Sequence, residues 1–266
     1  MKNARILEGN CLDVMRDMAD CSVDVAITSP PYDNLRTYDG KSEWGDHVWK
    51  KAVMGLHRVL KEGGVCVWIV SDQSINGSET GSSFRQALHA MDCGFRLHDT
   101  MIWEKPGFTA TGALKVRYAQ VFEYMFIFSK GRPKTFNPIK DRKNKSAGGK
   151  QHGANRLPDG TFKQKSSDGR ITKEFGQRFN IWRHNMALGK KDRCGHPAPF
   201  PIELVKDHII SWSNPGDLVF DPFAGSGTTG IASIETERNF IGAEINPEYC
   251  KIARARIEAH QEEEGE

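Results

Sequence analysis

Leu218-Val-Phe-Asp-Pro-Phe-Ala-Gly-Ser-Gly-Thr-Thr-Gly230 decides how this chain folds. An apolar run, a glycine-rich turn and a helix start follow one another. Gly225, Gly227 and Gly230 have the GxGxxG spacing that lets a backbone approach a ligand closely. Taken alone, that spacing suggests a dinucleotide. Asp221 argues otherwise: a carboxylate before the turn repels a pyrophosphate and suits a ligand with an ammonium group. Glu244 closes the next apolar run, where it can accept hydrogen bonds from ribose hydroxyls. An ammonium, a ribose and no phosphate describe S-adenosylmethionine, which these residues favour over NAD. A strand-to-helix turn with no ligand would leave Asp221 and Glu244 incidental.

Toward the N-terminus, the apolar run Val23-Asp-Val-Ala-Ile-Thr28 ends in Ser29-Pro30-Pro31-Tyr32. Two prolines fix φ and remove two backbone donors, so the Pro30 carbonyl sits on a stiff loop with little competition. Ser29 and that carbonyl can each accept a hydrogen from one NH2 group, and Tyr32 offers a flat face. An exocyclic amino group on a planar base fits such a site. The plainer alternative is a rigid strand-end turn.

The net charge of +3 conceals an asymmetry. Residues 130–194 hold 18 Lys and Arg against 5 Asp and Glu, net +13, leaving 19 against 29, net −10, elsewhere. A basic segment on an acidic body reads as a phosphate-contacting surface, because clustered cations release counterions on meeting nucleic acid. A solvated loop is the alternative. Six cysteines without a CxxC pair give neither a disulfide framework nor a zinc site, and Cys194-Gly195-His196 lacks further ligands. No apolar run approaches membrane-spanning length, and Met1–Asn10 lacks the apolar stretch of a secretory leader, so a cytoplasmic protein is expected.

Short strands alternate with amphipathic helices along the rest of the chain. Strands are expected at 5–8, 23–28, 65–70, 95–104, 122–129, 217–221 and 239–243. Helices are expected at 11–18, 46–61, 82–91, 202–212, 226–235 and 247–260. Gly63-Gly64 is read as the stop of the 46–61 helix. The alternation predicts an α/β fold of Rossmann-like type, with a mostly parallel sheet covered by helices on both faces. The pattern collapses from Lys130 to about Asn180, which predicts an insertion, in part disordered without a partner. The expected division is 1–129, the insertion 130–194, and 195–266.

These motifs together resemble the amino-directed DNA methyltransferases of the permuted β group, which modify N4 of cytosine or N6 of adenine. The resemblance spans nearly the whole chain. Thr28–Tyr32 looks like the family's catalytic motif, and Asp221–Gly227 looks like its cofactor motif, lying C-terminal to the catalytic one as in that group. Trp103-Glu-Lys105 and Phe122–Lys130 resemble the strands before the target-recognition insertion. Ile181-Trp182 and His196–Pro201 resemble the return from it.

The resemblance implies that Ser29, Pro30, Pro31 and Tyr32 hold the target base. It implies that Asp221, Phe223, Gly225 and Gly227 bind the methionine end of S-adenosylmethionine and Glu244 its ribose, with Ser226 and Thr228 also in the cofactor-binding set. Asn10 stands where relatives often carry Asp, at a position expected to contact the adenine amino group; its side-chain oxygen can still accept that bond. The partner implied is double-stranded DNA, gripped by the basic 130–194 segment. Asn144, Gln151, Asn155, Arg156 and Gln177 offer donors and acceptors for base edges. A homodimer and a cognate restriction nuclease are admitted as further partners.

The implied chemistry is methyl transfer to a flipped base. The exocyclic nitrogen is a poor nucleophile, and accepting both its hydrogens would localise its lone pair, so positioning and charge stabilisation suffice. No cysteine follows a proline, against a thiolate mechanism at cytosine C5. Ser before Pro-Pro-Tyr leans toward cytosine N4, with adenine N6 as the alternative. An RNA or protein amide methyltransferase, and a DNA-binding module with a dead site, are the competing readings.

Overall fold

The computed structural model describes residues 3–31, 44–106, 116–186 and 201–263. Two compact units emerge, one of residues 1–137 with 180–266 and one of Pro138–Phe179. The second lies inside the expected 130–194 insertion but is narrower.

In chain order the elements are β1 (Ala4–Glu8), α1 (Cys11–Asp17), β2 (Val23–Thr28), α2 (Asp46–Val59), β3 (Leu60–Val70), β4 (Ser74–Ile75) and β5 (Ser78–Glu79). Then come α3 (Ser82–Asp92), β6 (Arg96–Glu104), β7 (Phe122–Ser129), β8 (Arg142–Lys143), β9 (Ala154–Arg156), β10 (Phe162–Gln164) and β11 (Phe175–Gly176). The chain closes with β12 (Ile181–Arg183), α4 (Ile202–Trp212), β13 (Leu218–Asp221), α5 (Thr228–Glu235), β14 (Asn239–Glu244) and α6 (Pro247–Glu263).

Eight strands form the large unit's sheet in the order β1-β14-β13-β2-β3-β7-β6-β12. β7 runs antiparallel to both neighbours and the other pairings are parallel. The run Val65–Val70 is buried on both faces, as a central strand covered by helices requires. On α2, Trp49, Ala52, Val53, Leu56 and Val59 recur at helical spacing and are all buried.

β3 begins earlier than the sequence suggests. The helix stops at Val59, and Leu60 already pairs with Val23. Gly63-Gly64 therefore lies inside the strand, not after the helix. Gly63 has φ 80°, and a Cβ on Gly64 would stand 2.9 Å from the Asp24 carbonyl oxygen. Glycine is needed there for a bulge, which sequence cannot tell from a helix stop.

Two asparagines mark where the smaller unit leaves and rejoins the larger. The Asn137 side chain donates to the carbonyls of Ile210, within the last turn of α4, and Ser213, just beyond it (3.1 Å each). The Asn180 carbonyl accepts from Ile102 N–H at 2.9 Å, and its amide donates to Asp99 and the Thr100 carbonyl on β6. Within Pro138–Phe179 two short ribbons occur, β8 with β11 and β9 with β10, both antiparallel. Arg142 stacks on the Phe179 ring at 4.4 Å.

Candidate active site

β13 and β2 are neighbours, yet the chain leaves them in opposite directions, β13 toward β14 and β2 toward β3. Such a switch point opens a crevice at the carboxyl ends of parallel strands, where α/β sheets bind ligands. Ser29-Pro30-Pro31 follows β2 there and the glycine turn follows β13. Ser29 and Pro31 are half-buried and Pro30 is buried; Tyr32 lies outside the described residues.

A buried link joins the two strand ends. Thr28 Oγ donates to Asp221 Oδ1 at 2.7 Å, and Thr229 Oγ, in the first turn of α5, donates to Oδ2 at 2.7 Å. Phe223 N–H also donates to Oδ1 at 3.0 Å. Asp221 is thus engaged by the protein itself. It is only 1% exposed and its carboxylate accepts from three protein donors. Burial pushes its pKa up to about 6, against the opposing pull of the two threonine hydroxyls. Thr28 and Thr229 both lie in the motifs read from the sequence, but their bonds to Asp221 do not show there, since the first spans most of the chain.

The glycine turn is shaped by packing. Gly225 and Gly227 have φ of 51° and 81°, which side chains rarely adopt. A Cβ on Gly227 would stand 3.0 Å from the Ala253 Cβ on α6, and one on Gly230 would meet Ile257 and Phe240. Gly225 N–H donates to Glu244 Oε2 and Gly227 N–H to the Ala224 carbonyl, so these amides are already engaged and do not cradle a pyrophosphate. Ser226 is buried, its carbonyl and hydroxyl accepting from Arg256 at 2.6 and 3.0 Å. Thr228 is buried too.

Glu244, Asn10 and Phe223 remain at the crevice. Glu244 accepts Gly225 N–H and Asn246 N–H at 2.8 Å each, one on each oxygen, and is 9% exposed. Burial raises its pKa against those two backbone bonds. Glu8 of β1 is its register partner, and Gly9 N–H donates to the Glu244 carbonyl. Asn10 is exposed and caps α1, its Oδ1 accepting Leu12 N–H at 2.9 Å with a second lone pair left over. A Cβ added to Gly9 would meet nothing within 4 Å. Phe223 is half-buried and stands edge-on to Trp44, ring centroids 5.4 Å apart.

Comparison with known proteins bears on this arrangement. The N6_N4_Mtase family, DNA methylases, matches residues 23–255. The chain belongs to that family. It is 51% identical over 247 residues to the orphan methyltransferase M.BamHII of Bacillus amyloliquefaciens, covering 91% of each chain. It is 25% identical to the type II methyltransferase M.Cfr9I of Citrobacter freundii, over 97% of this chain and 89% of that one. Among solved structures, the cytosine-N4-specific PvuII DNA methyltransferase superposes with a TM-score of 0.69 at 21% identity, over 96% of this chain and 86% of that one. This DNA methylase thus shares the Rossmann-like fold of DNA methyltransferases. Among its described residues no helix is long and apolar enough to cross a membrane, and no cluster of His, Cys, Asp or Glu could hold a metal.

Proposed function

We propose that the protein transfers a methyl group from S-adenosylmethionine to the exocyclic amino group of a flipped base in DNA, at N4 of cytosine. The observation that carries this reading is the Thr28–Asp221 hydrogen bond, which ties the Ser29-Pro30 acceptor loop to the glycine turn across the switch point. A loop suited to an amino group and a turn suited to a nucleoside thereby share one crevice.

The donor set suits that cofactor. Glu244 keeps lone pairs for ribose hydroxyls and Asn10 keeps one for the adenine amino group. The open space beside Gly9 and the half-buried Phe223 ring leave room and an apolar wall for adenosine. S-adenosylmethionine supplies, when bound, a methyl group already activated by its sulfonium. Ser29 Oγ and the Pro30 carbonyl accept the two amino hydrogens, localise the nitrogen lone pair and disperse its developing positive charge. Tyr32 stacks on the flipped base, and the unit Pro138–Phe179, with 11 Lys and Arg against 4 Asp and Glu, grips the backbone.

Ser29 in place of an acidic residue favours cytosine. Incubation with labelled cofactor and duplex DNA, followed by nucleoside mass spectrometry, tests the reading. N4-methylcytosine is the expected product. N6-methyladenine would move the target, and label in RNA or protein alone would overturn the proposal. Tyr32→Ala should abolish turnover while leaving cofactor binding within about twofold; a lost affinity would refute the stacking role.

A further inference from the structure

We infer that the β9–β10 ribbon reads base edges in the DNA major groove through Arg156 and Phe162. This rests on the DNA-methylating reading above and adds to it which side chains set the recognised sequence.

The sequence builds this ribbon stiffly. Leu157-Pro-Asp-Gly-Thr161 is a tight turn: Gly160 N–H donates to the Leu157 carbonyl at 2.9 Å, and Gly160 has φ 86°. Leu157 N–H closes on the Thr161 carbonyl at 2.8 Å, and the Asp159 carboxylate accepts Thr161 N–H and Oγ at 2.9 and 2.7 Å. Arg156 pairs with Phe162 across the strands, Asn155 with Lys163 and Ala154 with Gln164. Arg156, Phe162 and Gln164 therefore share one face, and Asn155 and Lys163 the other.

Every strand residue of the ribbon is exposed, and Phe162 is exposed to 71%. The turn thus holds an apolar ring and the Arg156 side chain side by side on one solvent-facing surface. The chemistry of a partner is set by charge: the ribbon and its flank carry Arg156, Lys163 and Lys165, while the two nearby carboxylates are engaged, Asp159 by Thr161 and Asp168 by Gln164 and Gly153 N–H. A two-stranded ribbon fits the major groove, where arginine matches guanine O6 and N7 and phenylalanine packs on a thymine methyl. The Arg156 guanidinium has no hydrogen bond or ion pair among the described residues. Of the other candidates, Asn144 donates to the Lys173 carbonyl at 2.9 Å and is committed to its own unit, and Gln151 is half-buried. Lys163, on the other face, is assigned to phosphate.

The test maps methylated positions on plasmid DNA for the protein and four variants. Arg156→Ala and Phe162→Ala should each relax discrimination at one base pair, by about 10- to 100-fold for the arginine. Arg156→Lys should relax it as well, since it keeps the charge but loses the two-pronged fork. Lys163→Ala should weaken binding evenly across sequences and lower the salt-dependence slope by about 1. An unchanged methylation pattern in Arg156→Lys and Phe162→Ala would overturn the ribbon assignment alone. A parent that methylates no DNA would overturn the underlying reading instead.

Discussion

The switch-point crevice and the β9–β10 ribbon treat polar groups in opposite ways. At the crevice Thr28, Asp221 and Thr229 are buried and bonded to one another, so each fixes the place of the next. On the ribbon Arg156 and Lys163 are exposed, and among the described residues their side chains make no hydrogen bond or ion pair. The first arrangement is a scaffold, because removing one member strands the others. The second is a surface awaiting a partner, where stability and recognition are separable.

The largest effect should come from breaking the scaffold at its backbone. Gly227→Val places a branched side chain at φ 81° against Ala253, and should destabilise by about 3 kcal/mol or prevent folding. Urea denaturation gives the value; a loss under 1 kcal/mol would mean the turn can relax. Thr28→Val should cost about 1.5–3 kcal/mol, since a buried carboxylate loses a donor, and should lower turnover more than cofactor affinity. Thr28→Ser should restore both, and a stable, fully active valine variant would dissolve the contrast.

A smaller effect concerns pH. The folded-state pKa of Asp221, about 6, lies above its ordinary carboxylate value, so the fold prefers it protonated. Its contribution to stability is fully present below the unfolded value near 4 and is lost as pH rises through 6. Asp221→Asn removes this dependence, so its stability relative to the parent should grow between pH 5 and pH 8. Thermal unfolding of both proteins over that range checks it, and a constant difference would contradict it. Least of all should Arg156→Ala and Phe162→Ala alter stability, with shifts within about 0.5 kcal/mol by the same measurement.

Much of the scaffold was legible in the chain. α4 falls at 202–212 as its apolar spacing requires, and the strand, glycine turn and helix from Leu218 appear where they were read. What escaped was long-range. The reversed direction of β7 cannot be inferred from alternation, since apolar patterning has no polarity. The bond from Thr28 to Asp221 joins residues 193 apart, and only tertiary structure reveals it. The ribbon escaped for another reason: its strands are short and polar, and the one local signal, Pro158-Asp159-Gly160, was submerged in a basic stretch read as irregular. Among the candidate site residues, Asn10 caps α1 and Glu244 accepts Gly225 N–H, while Ser226 and Thr228 are buried in the turn, placements that only the tertiary structure gives.

Asn137 and Asn180 give the chain a property that bears on its history. Each is anchored to the sheet unit by its own side chain and backbone, so the frame holds both ends of whatever lies between them. The intervening stretch can then lengthen, shorten or be exchanged at small entropic penalty, because closing a longer loop between fixed ends adds only about 0.6 kcal/mol per doubling. Asn137 and Asn180 thus act as cassette joints, where a new recognition segment could be grafted onto an unaltered catalytic frame.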